Sequence, residues 1–160
     1  MKIEVIEADY GNQQHAEDIV WLLSSYAKDP MGGGKDISDN VKTSLVEALG
    51  AFPTAFSVLA YAGEKPAGLI NCIGGFSTFA AKPLVNIHDV IVISDYRGLG
   101  VSQLMLDHVE GLATDRDCCK LTLEVLEENE VAKNAYRKFG FAGYCLDPEK
   151  GQAMFWQKPL

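Results

Sequence analysis

VIVISDYRGLGVS, residues 90–102, is a β-branched run that breaks at Ser94-Asp95 and gives way to Arg97-Gly98-Leu99-Gly100-Val101-Ser102, followed by an amphipathic segment. It reads as strand, tight turn and helix. Two glycines let the backbone approach a ligand closely, the first-turn N–H groups of a helix have no intrahelical partner, and the helix dipole favours negative charge at that end. A diphosphate suits such a nest.

Several known loop patterns fail here. A dinucleotide fingerprint, G-x-G-x-x-G, would use Gly98 and Gly100 but meets Gln103 where the third glycine belongs, although Glu124 lies about the right distance downstream. A P-loop over Gly32-Gly33-Gly34-Lys35 would have Asp29 at the leading glycine and Asp36 at the Ser/Thr position. A nucleophile elbow starting Gly100-Val101-Ser102 ends on Leu104. The pattern that remains, Arg97-x-x-Gly100-x-Ser102, resembles motif A of the GNAT acyltransferases, Arg/Gln-x-x-Gly-x-Gly/Ala. Ser102 departs from that form, yet serine is small enough to leave the backbone amide accessible.

A chain of 160 residues with 48% hydrophobic and 22% charged content suits one globular domain, residues 1–160, with a sizeable core. A net charge of −8 argues against nucleic acid or anionic membrane as the main partner. No apolar run approaches a membrane span, and Met1-Lys2-Ile3-Glu4 lacks the build of a signal peptide, so a cytoplasmic protein is expected. Cys72, Cys118, Cys119 and Cys145 show no C-x-x-C spacing and read as small core residues in a reduced compartment. No metal site is expected.

Residues 1–8 carry a strand-like alternation, and Gly11-Asn12 opens a helix whose Ile19, Leu22, Leu23 and Tyr26 share a face. Residues 29–34 form a loop. A second helix follows, capped by Ser38 or Asp36, with Val41, Leu45 and Leu49 inward and Gly50 as its stop. Strands over residues 54–62 and 67–76 join through Gly63-Glu64-Lys65-Pro66, a hairpin turn. After the loop at 77–82, the next strand leads into the 90–102 stretch. A helix then keeps its period through Val101, Leu104, Met105, Val109 and Leu112. A strand over 120–125, a helix over 129–139 with Asn129 as cap, and two tail strands at about 142–146 and 153–157 complete the chain. The result is an α/β fold, three layers around a mixed sheet.

Residues 129–141, NEVAKNAYRKFGF, fill every fixed position of the GNAT motif B, N-x-x-A-x-x-x-Y-x-x-x-G-F. Order and separation from the Arg97 loop also match, with one helix and one strand between. The chain therefore resembles a GNAT N-acetyltransferase, strongly over residues 87–141 (motif A at about 87–116, motif B at about 120–141) and only generally before Phe76. The resemblance implies a three-layer α/β/α fold whose central mixed sheet is splayed, with acetyl-CoA as co-substrate in the cleft. Backbone groups of Val90 and Val92 would pair with the pantetheine amides, and amides from Gly98, Leu99, Gly100, Val101 and Ser102, helped by Arg97, would hold the diphosphate. Asn129 would lie beside the cofactor arm and Tyr136 beside the sulfur. A small-molecule or peptide amine is the implied acceptor, and a homodimer is left open.

Transfer from a thioester to an amine needs a neutral amine, a stabilised oxyanion and a proton for the leaving thiolate. A tyrosine hydroxyl, with a reference pKa of about 10 against about 8.5 for a thiol, keeps its proton at neutral pH and can donate it, which is the role the motif implies for Tyr136. His88, Asp89 and Glu124 are the candidate bases, and a preformed neutral amine would need none. Strand alternation lets at most one of His88 and Asp89 line the cleft. The acceptor side points to the loop of Met31, Gly32 and Gly33, and to Phe76, Ser77, Thr78 and Phe79. Two rival readings remain: a non-catalytic acyl-CoA-binding module, and a dinucleotide oxidoreductase, which would bind NAD instead.

Overall fold

The computed structural model describes residues 2–160, so Met1, the first residue of the expected opening strand, lies outside the described residues. The chain divides into two compact units, Met1–Leu123 and Glu124–Leu160.

The first unit is built on a mixed five-stranded sheet in the order β1 (Ile3–Glu7), β2 (Ala55–Ala62), β3 (Lys65–Ser77), β4 (Lys82–Val92) and β5 (Leu121–Leu123). Its first four strands run antiparallel to their neighbours, and β5 is parallel to β4. Helices α1 (Gln13–Lys28) and α2 (Asp39–Ala51) cover one face, where Ile19 and Leu22 pack with Leu59, Leu69 and Ile91. Helix α3 (Val101–Asp115) covers the other, burying Val101, Met105, Leu106, Val109 and Ala113. That side of β3 has Gly68, where an added Cβ would lie 2.7 Å from Met105 Cε. The unit is thus a three-layer α/β/α arrangement with an open sheet.

Local signals explain most boundaries. Asn12 caps α1 by accepting from Gln14 and His15 N–H, and Ser38, not Asp36, caps α2 by accepting from Val41 N–H. Asp36 instead takes Ser24 and Lys42, with Lys28 alongside. Gly50 does not stop α2, which runs to Ala51 and ends ahead of Pro53, where the proline ring disfavours a helical residue before it. Val41 is exposed rather than inward, while Leu45 and Leu49 do pack against the core. Lys65 and Pro66 belong to β3, so the first hairpin turns on Gly63-Glu64 alone. Leu104 lies off the buried face of α3. Of the four cysteines only Cys72 is buried, and Cys119 and Cys145 are exposed.

β4 starts at Lys82, inside the expected loop, because β3 pairs with it from that residue on. It pairs with β3 from Ser77↔Lys82 to Gly68↔Val92, but with β5 only from Val85↔Leu121 to Ile87↔Leu123. The β3 register passes from Cys72↔Ile87 to Asn71↔Asp89, which leaves His88 as the extra residue of a β-bulge. A bulge bends and twists its strand and breaks the ladder locally. Pairing to β5 ends at that point, so β4 departs from β5 there. β5 spans three residues rather than the expected six, and Val125 lies beyond it, exposed.

The second unit contains α4 (Glu130–Phe139), capped by Asn129 and closed by Gly140 at φ 113°. The two expected tail strands do not form. Their place holds a tight turn at Pro148–Lys150, a single bridge between Asp147 and Gly151, and one bond from Ala153 N–H to Tyr144 C=O. Met154, Phe155 and Trp156 are exposed. Alternating apolar residues signal a strand only where a partner supplies a ladder, and a lone two-stranded hairpin is marginal in water.

Candidate active site

The site in the first unit begins at the bulge. Beyond it, Ile93 N–H donates to Ala67 C=O at 3.0 Å, which places the backbone groups of the odd-numbered residues 91 and 93 toward β3. By alternation the N–H and C=O of Val90 and Val92 point to the opposite edge, where β5 no longer pairs. Apart from the Val92 C=O, which accepts from Arg97 Nε, this edge has no neighbouring strand, and such an edge is a template for an extended amide-bearing ligand.

That edge runs into the glycine loop. A tight helical turn at Ser94–Tyr96 precedes Gly98 at φ 77° and Gly100 at φ 80°, a left-handed region where a side chain is strained. An added Cβ at either glycine would meet nothing within 4 Å, so backbone conformation rather than crowding demands glycine. Gly100 is the N-cap of α3 and offers no side-chain cap to the first-turn amides of Val101 and Ser102. Leu99 is exposed beside them. An uncapped terminus on a fifteen-residue helix can receive an anion.

Arg97 is directed away from a simple phosphate role. Its Nε donates to Val92 C=O and its guanidinium donates to Asp29 Oδ2, each at 3.0 Å. Asp29 ends α1 and also accepts from Met31 N–H, and these bonds, the Met31 amide first and Arg97 next, hold its carboxyl below the usual range. Around this pair lies a cavity of about 350 Å³ lined by Trp21, Tyr26, Asp29, Val92 and Arg97 among others. Burial raises the Tyr26 pKa, and the Asp89 and Asp29 carboxylates add to the rise.

The loop after α1 is packed rather than slack. At Gly32 a Cβ would fall 2.0 Å from the Tyr26 carbonyl oxygen, and Gly33 and Gly34 carry φ of 110° and 73°. Met31, Gly32 and Gly33 therefore lie beside the Arg97–Asp29 pair. Phe76, Ser77, Thr78 and Phe79 sit at the far end of β4, on the β3–β4 hairpin, about 30 Å along the strand from the glycine loop. Phe79 is fully exposed there. Trp21 and Ser25 also line the cavity but escape sequence reasoning, because they fall outside the apolar stripe of α1. A half-exposed tryptophan on a polar helix face was the available signal.

The candidate bases differ in environment. His88, the bulge residue, is exposed, as is Glu124, the first residue of the second unit. Asp89 is half-buried and accepts from Asn71 Nδ2 at 2.9 Å. The bulge also resets strand parity: Ile87, opposite Cys72, faces α3, whereas Asp89 and Ile91 face α1 and α2.

In the second unit Asn129 Oδ1 accepts from Ala132 N–H at 3.2 Å. Tyr136 is half-buried, with its ring edge-on to Phe141 at 6.0 Å between centroids. Phe141 N–H returns to Tyr136 C=O past the left-handed Gly140. Asparagine, tyrosine, glycine and phenylalanine thus each hold a place in the start, side or end of α4. Among the described residues no helix is long and apolar enough to cross a membrane.

The acetyltransferase (GNAT) family model matches residues 17–141. The chain is 28% identical over 149 residues to a thialysine N-epsilon-acetyltransferase of Bos taurus, covering 86% of this chain and 81% of that protein. It is 36% identical over 63 residues to a streptothricin acetyltransferase of Streptomyces lavendulae, a match spanning 39% of this chain and a third (33%) of that protein's length. An aminoglycoside N-acetyltransferase solved in complex with CoA superposes with a TM-score of 0.78 at 15% identity, covering 99% of this chain and 96% of the other. A ribosomal-protein-alanine N-acetyltransferase from Brucella melitensis gives 0.75 at 17% identity, covering 91% and 96%. The two structures show a shared fold. The chain belongs to the acetyltransferase (GNAT) family.

Proposed function

We propose that this member of the GNAT family transfers an acyl group, acetyl by preference, from acyl-CoA to a cationic primary amine by direct attack in a ternary complex. The observation that carries the reading is the continuity of the open β4 edge at Val90 and Val92 with the glycine loop and the uncapped start of α3. One feature accepts an amide-bearing arm and the next accepts a diphosphate. The bound CoA of the aminoglycoside N-acetyltransferase supports that ligand.

Acyl-CoA supplies the activated thioester. Backbone groups of Val90 and Val92 hold the pantetheine, and amides from Gly98 to Ser102 hold the diphosphate, with Arg97 in reach if it leaves Asp29. Asn129 caps the start of α4, and the family resemblance assigns it to the cofactor arm. The ammonium group first loses one proton to solvent; the neutral nitrogen then bonds to the acyl carbon as the C–S bond breaks, its surplus proton passes to a base and the Tyr136 hydroxyl returns a proton to sulfur. Asp89 is the favoured base because it is the one held by a buried partner, with His88 and Glu124 as exposed alternatives. Curated relatives named for thialysine and streptothricin, and a net charge of −8, support a cationic acceptor.

Calorimetric titration with acetyl-CoA, CoA and NAD, followed by an amine panel read by release of free thiol, tests this reading. Binding of both CoA species, no binding of NAD, and thiol release with at least one amine are expected. CoA binding with no release across the panel would leave only the acyl-CoA-binding module.

A further inference from the structure

Ser57 of β2, Asn71 of β3 and Asp89 of β4 are direct cross-strand neighbours, and Tyr10, from the turn after β1, continues their line. The row lies on the α1 and α2 face, next to the apolar row Leu59, Leu69 and Ile91. Its hydrogen bonds measure 2.9 Å from Tyr10 to Ser57, 2.7 Å from Ser57 to Asn71 Oδ1 and 2.9 Å from Asn71 Nδ2 to Asp89 Oδ2. Ser57 is 0% exposed and Asn71 5%.

The bonds have one direction. A carboxylate only accepts, so Asn71 turns its amide NH₂ to Asp89 and its oxygen to Ser57. Ser57 spends its single hydroxyl proton on that oxygen, and Tyr10 must therefore donate to Ser57. Burial raises the Tyr10 pKa and keeps that proton in place. Every donor points toward Asp89, and each bond polarises the next. A fold needing only stability could fill Ser57 and Asn71 with apolar residues at little cost. What sets this row apart is its end, the first residue past the His88 bulge, where β4 leaves β5.

We propose that Tyr10, Ser57 and Asn71 are positioning residues that hold the Asp89 carboxylate through Oδ2 in one orientation and leave Oδ1 to take the proton of the acceptor amine. This rests on the acyl-transfer reading above. Neither Ser57 nor Tyr10 touches the reacting groups, and both act through Asn71.

The test measures acetyl transfer from acetyl-CoA to thialysine together with the side-chain amide signals of Asn71 in the ¹⁵N-labelled full chain. Asp89→Asn should lower kcat about a hundredfold, the scale of a lost general base. Ser57→Ala should lower kcat about fivefold, the scale of one hydrogen bond, with KM for acetyl-CoA unchanged, and Ser57→Thr should restore it. In the wild type one Asn71 Nδ2 proton should resonate downfield and exchange slowly. It should move upfield in Asp89→Asn and exchange faster in Ser57→Ala. An impaired Asp89→Asn beside a fully active Ser57→Ala would overturn the positioning role alone. Wild-type kcat in Asp89→Asn would remove Asp89 from the acyl-transfer reading and the row's role with it. If the wild type leaves thialysine unacetylated, that acceptor is wrong and the amide signals decide, since Asn71 protons indifferent to Asp89→Asn overturn the row.

Discussion

The two halves of β4 share a strand and a neighbour in β3, yet they do different things. From Lys82 to Ile87 the strand is paired with β3 and, through Val85 to Ile87, also with β5, and its side chains at Val85 and Ile87 are buried. From Asp89 to Val92 it keeps β3 alone. One inserted residue, His88, separates them. An open edge inside a sheet thus needs no special residue type: it needs one ladder interrupted where the opposite ladder holds.

The largest effect expected from breaking this contrast is in the closed half. Ile87→Ala should cost about 2–5 kcal/mol in urea unfolding, the usual loss for a buried isoleucine. Its cross-strand neighbour Cys72, whose thiol burial pushes up to about 12, should then lose its protection from alkylation, a loss that thiol labelling in native buffer would record. A variant as stable as wild type would show that the closed half is not the anchor.

In the open half, Val90→Pro removes an outward N–H without touching the β3 ladder, as proline is tolerated at a sheet edge. It should weaken pantetheine and CoA alike by about five- to tenfold in calorimetry, the loss of one hydrogen bond, with a small change in unfolding midpoint. Equal binding would mean that the Val90 amide faces no ligand. The smallest effect belongs to the loop: Arg97→Gln should weaken CoA by about two- to fivefold, as for an exposed ion pair, and leave a pantetheine fragment without diphosphate unchanged. Equal loss for both ligands would assign Arg97 to bracing Val92 and Asp29 instead of to phosphate. The Asp29 carboxyl is depressed, so the ion pair is complete above the ordinary carboxylate range and fades only as pH falls through that lowered value. The Arg97 result should therefore be the same across neutral pH.

Much of this was legible in one dimension because the signals are local. Asn129 and Gly140 do cap α4, and the α1 stripe at Ile19 and Leu22 does meet the core. Each depends on residues within a few positions of one another. The tail strands failed because alternation near Tyr144 and Phe155 has no ladder to join. The bulge at His88 was out of reach for a related reason: alternation assumes an unbroken ladder, and the extra residue sets Ile87 and Asp89 on opposite faces of the sheet.

By itself the chain determined the order of strands and helices as far as α4, the glycine loop at the head of α3 and the spacing of its two motifs, all set by short-range sterics, capping and apolar period. Tertiary structure alone decided that Arg97 lies on Asp29, that β4 parts from β5 at His88, and that Asp89 ends a row begun by Tyr10. Those partners are far apart in sequence, and only the register of β2, β3 and β4 and the packing of the loops beside them bring them within hydrogen-bond reach.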